Sequence, residues 1–294
     1  MTVGICTDSL AQLPPELADR FGVAVVPITV RVGDCEYLEG VDLGIDDFYG
    51  LLARSGTDAA DSVSITHPSS GQFALAYDEL AERGCTQILS IHASADASGT
   101  LNAARLAARC SPVPVRLVDS GSRSFGVSCA VWAAGDALAA GASLDDAVAV
   151  AESLAPDVRN VFVVGGLDLA GLGTASFGMG RDAPVAGGVP VLSYRAGEVV
   201  ELDRVGTPAD AVDAIVRHAI GGAGGGPLRA AVGTGTCAVG PLAEALFQRL
   251  DALPEVCEAI RFRVGPAVAI HTGPGTVACC TFPSTSWQAS SSAT

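Results

Sequence analysis

Along its first half the chain alternates short apolar runs, polar loops and amphipathic stretches. Val3–Cys6 reads as a buried strand that gives way at once to Thr7-Asp8-Ser9. Pro14, whose fixed φ suits a first helical turn, opens a helix running to about Phe21. Val23–Val32 is rich in β-branched residues and reads as the next strand. Asp46-Asp47 place acids at the positive end of another helix. Gln72–Glu82 carries Phe73, Leu75, Ala76 and Leu80 at helical spacing. Gln87–Ile91 is a buried strand, and a Ser/Gly loop leads from it into the Ala-rich helix Leu101–Arg109. Val115–Val118 is again strand, followed by Asp119-Ser120-Gly121 and a long apolar helix around Val127–Ala140. This alternation predicts a mostly parallel sheet covered on both faces. In such sheets ligands sit beyond the carboxyl ends of the strands.

After a further helix at Ser143–Leu154 the character changes. Asn160–Val164 is strand-like, and Gly165–Gly188 is Gly-rich, almost uncharged and without a clear period. Val189–Tyr194 and Glu198–Val205 read as a hairpin joined near Arg195-Ala196-Gly197, which makes the second sheet mixed. A helix from Pro208 to about Ile220, a flexible loop at Gly221–Gly226, a strand at Leu228–Val232 and a helix at Pro241–Leu250 follow. Phe262–Ile270 reads as a strand-like run into His271-Thr272-Gly273-Pro274-Gly275. The expected organisation is a two-domain α/β protein. Residues 1–157 form a larger α/β/α domain, residues 158–283 a second α/β domain with a mixed sheet, and the Ser-rich residues 284–294 a disordered tail.

Composition narrows the function. At 294 residues two domains are the default, and with 49% apolar but only 5% aromatic residues the cores must be built from Ala, Val, Leu and Ile. No uninterrupted apolar stretch reaches the roughly 20 residues needed to span a bilayer, so stable membrane insertion is not expected. Met1–Asp8 has no basic residue before its apolar run, which argues against a secretory signal and for a cytoplasmic protein. The net charge of −15 argues against nucleic acid and against docking on anionic lipid. An anionic ligand must then be held mainly by hydrogen bonds. The nine cysteines are odd in number, irregular in spacing and without a Cys-x-x-Cys pair, so they are read as small buried hydrophobes in a reducing compartment. Neither a metal nor a cofactor is expected.

Four hydroxyl-bearing segments recur at strand ends: Thr7-Asp8-Ser9, Ser64–Ser69, Ser94 with Ser98-Gly99-Thr100, and Asp119-Ser120. Hydroxyls and free N–H groups beside helix N-termini receive carboxylates and phosphates. Each alone is most often a helix cap, but four together with a glycine-rich turn suggest an anion site. In His271-Thr272-Gly273-Pro274-Gly275 the glycines around the proline fix a tight turn, and His271 can donate to an anion.

Together with Gly40-Val41-Asp42, Phe48-Tyr49, Pro68–Phe73, Ser90-Ile91-His92 and Val118-Asp119-Ser120, these segments resemble the signature segments of the DegV family, in the family's order and over nearly the whole chain. The resemblance implies a fatty acid bound between two α/β domains by a carrier that, in well-known members, presents it to a separate fatty acid kinase. Carried over by position, it implies head-group contacts from Thr66, Ser94 and His271, with Ser98, Gly99, Thr272 and Gly273 shaping the same pocket. The tail would supply most of the affinity, each buried CH₂ contributing about 0.8 kcal/mol before ordering costs.

The sequence departs from the family in several places. Ile65 replaces an expected Thr, Ala95 a common Ser and Ala97 a common Leu. The family's basic segment is absent from Gly171–Gly180, and Gly206–Asp210 replaces a basic cluster after the hairpin, leaving Arg204. Loss of those cations counts against docking on a kinase partner. Two rivals follow. An enzyme performing acyl transfer or hydrolysis through Ser94 and His271, with Asp8 or Asp119 orienting the histidine, is one. A repurposed scaffold binding another small molecule or a protein in a specialised pathway is the other. Gly126–Ala130 only partly matches Gly-x-Ser-x-Gly, with Ser128 inside an apolar helix, and Gly171–Gly180 does not fit a nucleotide-binding loop. His67 and His92 are read as cap or core residues and His218 as a surface residue.

Overall fold

The computed structural model describes residues 2–55, 63–96, 98–164, 188–195, 198–221 and 226–284. In chain order the first half holds β1 (Val3–Asp8), α1 (Pro15–Phe21), β2 (Ala24–Val26), β3 (Thr29–Val32), β4 (Cys35–Leu38), α2 (Ile45–Ser55) and β5 (Val63–Thr66). It continues with α3 (Ser70–Glu82), β6 (Gln87–His92), α4 (Thr100–Ala108), β7 (Val115–Asp119), α5 (Phe125–Ala139) and α6 (Leu144–Ser153). The second half adds β8 (Arg159–Val163), β9 (Val189–Arg195), β10 (Glu198–Val205), α7 (Pro208–Ile220) and β11 (Leu228–Thr234). It ends with α8 (Gly240–Asp251), β12 (Val256–Arg263), α9 (Pro266–Thr272) and β13 (Val277–Pro283).

These elements form two compact units. One joins residues 2–29 to Thr66–Asp157, and the other joins Val30–Ile65 to Val158–Ser284. The arm Val30–Ile65, grouped with the first domain by sequence order, is therefore built into the second unit.

In the first unit the strands lie in the order β2-β1-β6-β7, all parallel. The apolar stripes of α3 and α4 (Phe73, Tyr77 and Leu80; Ala103, Ala104 and Ala107) bury Cys6, Val26 and Ile88 of the sheet. Helix α5 packs against β1 and β6, and α6 against β7. Twelve residues of the fifteen in α5 are buried, which explains a helix apolar nearly all round. Small residues let it approach its neighbours: a β-carbon on Gly135 would fall 2.7 Å from the Phe21 ring.

The second unit contains a sheet ordered β10-β9-β8-β13-β11-β12. Only β11 and β12 run parallel among these neighbours, so the sheet is mixed. Helices α7 and α8 bury Ala211, Ile215, Leu246 and Leu250 against Val161, Val191, Ala230, Val232 and Cys279. The arm contributes a three-stranded sheet ordered β4-β3-β5. The α/β class and its parallel and mixed sheets are as the sequence predicts.

Three expectations need correction. Val23–Val32 is not one strand: Pro27 has no N–H to continue a ladder, and β2 and β3 on either side of it belong to different sheets. Phe262–Ile270 is not one strand either, because β12 stops at Arg263 and Gly265-Pro266 start α9 with proline in its first turn. The cysteines are not uniformly buried. Cys6, Cys129, Cys279 and Cys280 are, but Cys35, Cys110, Cys237 and Cys257 are exposed. Most of Gly165–Gly188, the hairpin tip, the middle of Gly221–Gly226 and the tail from residue 285 lie outside the described residues. Among the described residues no helix is long and apolar enough to cross a membrane.

Candidate functional site

The order β2-β1-β6-β7 has its switch point between β1 and β6, because the chain leaves β1 to one side for β2 and returns on the other as β6. The crevice at the carboxyl ends of such a strand pair is where open α/β sheets bind ligands. Three loops gather there, after β1, β6 and β7. Ser94 N–H donates to the Ser122 carbonyl at 3.0 Å, and Ser98 N–H to the Ser94 carbonyl at 3.1 Å. Gln12 Nε2 donates to Ser124 Oγ at 2.7 Å. Gln12 and Ser124 both have positive φ, 56° and 52°, conformations that cost energy in non-glycine residues and concentrate at functional sites.

The hydroxyls predicted for an anion divide sharply by what already engages them. Thr7 Oγ1 donates to the Ile91 carbonyl, Ser9 Oγ accepts from Ile28 N–H, and Ser120 Oγ donates to the His92 carbonyl. Ser69 forms a capping box with Gln72. Ser98 Oγ is shared with Thr100, accepting from its N–H at 3.2 Å and lying 2.7 Å from its hydroxyl. These groups fasten loops. Thr66 at the end of β5 and the half-buried Ser94 make no side-chain hydrogen bond among the described residues, and Thr66 is exposed. Neither hydroxyl fastens a loop in that way.

His67 follows Thr66, and its ring lies against Gly99. A β-carbon there would fall 2.4 Å from His67 Nε2, so the imidazole occupies the space a side chain on residue 99 would take. The Thr66-His67 loop and the Ser98-Gly99 loop therefore touch. His67 is exposed, with Nδ1 3.3 Å from the Pro68 carbonyl, and is neither a core residue nor a helix cap.

His92 is fully buried beneath these loops. Its Nδ1 donates to Asp8 Oδ2 at 2.8 Å, and its Nε2 lies 2.8 Å from Ser90 Oγ, which is 2.9 Å from the Tyr77 hydroxyl. Phe73 meets the imidazole edge-on at 5.0 Å between centroids. This reproduces the bonding order of a carboxylate–imidazole–hydroxyl triad, but Ser90 is 0% exposed and Tyr77 covers its far side, so it is a strut and not a nucleophile. It also engages Asp8, whose other oxygen accepts from Leu10 N–H. Asp119 accepts from Gly121 and Ala95 N–H groups. Both carboxylates suggested as orienters of His271 thus serve other partners. Ser128 donates to the Ala11 carbonyl at 2.7 Å inside α5, a structural role.

In the second unit, His271 stands in the last turn of α9, not at a strand end. It is exposed and makes no side-chain hydrogen bond among the described residues. Desolvation nonetheless lowers the imidazole below its ordinary value, favouring the neutral ring. Thr272 is buried, its hydroxyl donating back to the Val268 carbonyl at 3.1 Å. Gly273 ends the helix at φ +77°, which a side chain would strain. Its carbonyl and that of Thr272 accept from Thr276 Oγ1, closing the turn. Thr272 and Gly273 thus shape the turn, and His271 is its free donor.

A family model described as "Uncharacterised protein, DegV family" matches residues 2–284. The chain belongs to the DegV family. A DegV domain-containing protein of Streptomyces coelicolor is 34% identical over 278 residues, covering 93% of this chain and 95% of the relative. One from Mycobacterium tuberculosis is 30% identical over 284 residues, covering 95% and 97%. Among solved structures, a DegV family protein from Thermus thermophilus described as fatty-acid binding is 30% identical, with a TM-score of 0.78 over 96% of this chain and 100% of its own. DegV of Bacillus subtilis, at 22% identity and a TM-score of 0.76 over 96% and 99%, shares the fold.

The DegV signature Thr7–Pro14 contains both Asp8 and Gln12, but their partners, His92 and Ser124, lie 84 and 112 residues away. No spacing signal in one sequence reveals such pairs. The His67–Gly99 contact has a faint signal, a histidine next to a proposed contact and a glycine opening a helix.

Proposed function

We propose that this DegV protein binds a fatty acid, or a similar lipophilic carboxylate, and carries it without transforming it. The observation that carries the reading is the Thermus thermophilus structure, alike over nearly the whole of both chains and described as fatty-acid binding. The free donors support it: Thr66 and Ser94 hydroxyls and the His271 imidazole are assigned as head-group contacts. Ser98, Gly99, Thr272 and Gly273 are assigned to the loops that present them. Such donors suit a carboxylate on a molecule of net charge −15, since they stabilise it without a full counter-charge. The exposed thiols suit the reducing cytoplasm.

Presentation of the head group to a partner enzyme is the second part of the proposal. Docking there would differ from the family's basic pattern, since Arg204 is held by Glu201 and the Gly188 carbonyl, and Arg217 by Asp203. Native mass spectrometry of the purified protein tests the binding itself. A co-purified or added fatty acid held one to one supports the carrier, and a protein that ignores added fatty acids refutes it.

A further inference from the structure

His271 stands at the end of a short helix, so its placement is only as firm as whatever holds that helix. Within the second unit the start of that helix is held from the arm Val30–Ile65. Tyr49 on α2 is 6% exposed, and its hydroxyl donates to the Val264 carbonyl at 2.9 Å. Val264 immediately precedes Gly265, the N-cap of α9. Burial pushes the Tyr49 phenol well up, so the hydroxyl keeps its proton and stays a donor. Gly265 brings no side chain to its helix. The buried Glu39 takes that space, since a β-carbon on Gly265 would fall 2.3 Å from Glu39 Oε1.

The far end is held by the loop after β11, which the arm touches in turn. The Pro274 carbonyl accepts from Thr236 N–H at 3.0 Å and from Thr236 Oγ1 at 3.2 Å. Gly235 is pressed against it: a β-carbon there would lie 2.4 Å from the Pro274 oxygen and 3.3 Å from the Tyr49 hydroxyl. The Gly235 carbonyl accepts from Arg263 Nη2 at 3.0 Å, and Arg263 pairs with Asp46 at 2.6 Å.

We propose that Tyr49, backed by Glu39, is a positioning residue that sets where the His271 imidazole meets a ligand's carboxylate. The proposal rests on the reading of His271 as a head-group donor. The Tyr49 hydroxyl bonds backbone and not ligand, so its effect passes through α9. Without it the Val264 carbonyl loses a buried partner, and the start of the helix is free to shift. Ligands that carry a carboxylate should feel that shift, and ligands with the same tail but no carboxylate should not.

The test titrates the delipidated full chain with hexadecanoic acid and with hexadecanol. Tyr49→Phe is expected to weaken the acid about fivefold, the scale of one buried hydrogen bond, and to leave the alcohol within about twofold. In a His271→Ala background the same change should add nothing for the acid, because the two residues act as one unit. The proton NMR titration of the His271 ring should move in Tyr49→Phe. Equal losses for acid and alcohol, or a full further loss in the His271→Ala background, overturn the proposal and leave Tyr49 as a stabiliser. If His271→Ala itself spares the acid, the head-group reading falls and this proposal with it. Should Tyr49→Phe fail to fold, Glu39→Gln, assayed with the same two ligands, decides by the same criteria.

Discussion

Desolvation lowers the His271 imidazole below the ordinary histidine value of about 6.5, and the direction fixes two pH dependences. The unfolded chain protonates this group at higher pH than the folded one. Its contribution to stability is therefore whole above the unfolded value and is lost as pH falls toward the folded value. A carboxylate bound beside the ring favours the cation, so the complex takes up its proton at higher pH than the free protein. Affinity for a fatty acid is then expected to strengthen as pH falls through the window between those two values. Isothermal titration across that window checks it, and a flat profile that is unchanged in His271→Ala contradicts it. The Asp8–His92 pair makes a different prediction. Asp8→Ala leaves a fully buried imidazole without its acceptor and should cost about 1–3 kcal/mol of stability, read as a lower urea midpoint at unchanged slope. At this scale the strand-end placement of Thr66 and the loop placement of Ser94 were legible from the residues themselves, whereas their proposed role with His271 comes from the family resemblance. The carboxylate that serves His92 was not, since the pairing is made by adjacent parallel strands far apart in sequence.

Elements were legible where period and punctuation agreed. The helix over Ser70–Glu82, the strand Gln87–His92 and the hairpin β9–β10 fall within a few residues of expectation, each bounded by a cap, a polar loop or a turn. The reading failed where a proline sat inside an apolar run. Pro27 divides two strands into two sheets, and Pro266 converts the end of an expected strand into the helix that carries His271. The close approach of α5 to α1 had no sequence signal beyond an isolated glycine. Gly135→Ala is expected to destabilise by about 1–3 kcal/mol, because the added methyl runs into the half-buried Phe21 ring. Thermal unfolding measures the loss; an unchanged midpoint would mean that Phe21 moves aside freely.

For the whole molecule, two compact units and a DegV ancestry follow from nearly the full length of the chain, but the path of the chain between the units does not follow sequence order. The arm Val30–Ile65 belongs to the unit that carries His271, and only tertiary packing reveals that assignment. Burial also sorts the thiols. It pushes Cys6 and Cys280 up to about 12 and raises Cys279 well above the ordinary thiol value, while Cys35, Cys110, Cys237 and Cys257 face solvent. A thiol reagent applied to the native protein should modify the exposed group quickly and spare the buried one until the chain unfolds. Fast labelling of Cys6 or Cys280 would contradict the packing described for both sheets. The most direct test of the account is a calorimetric comparison of hexadecanoic acid and its methyl ester on the delipidated protein. The account predicts saturable one-to-one binding of the acid and an ester at least about tenfold weaker, from the charge-assisted hydrogen bonds it forgoes. An acid that does not bind, or an ester that binds equally well, would contradict it.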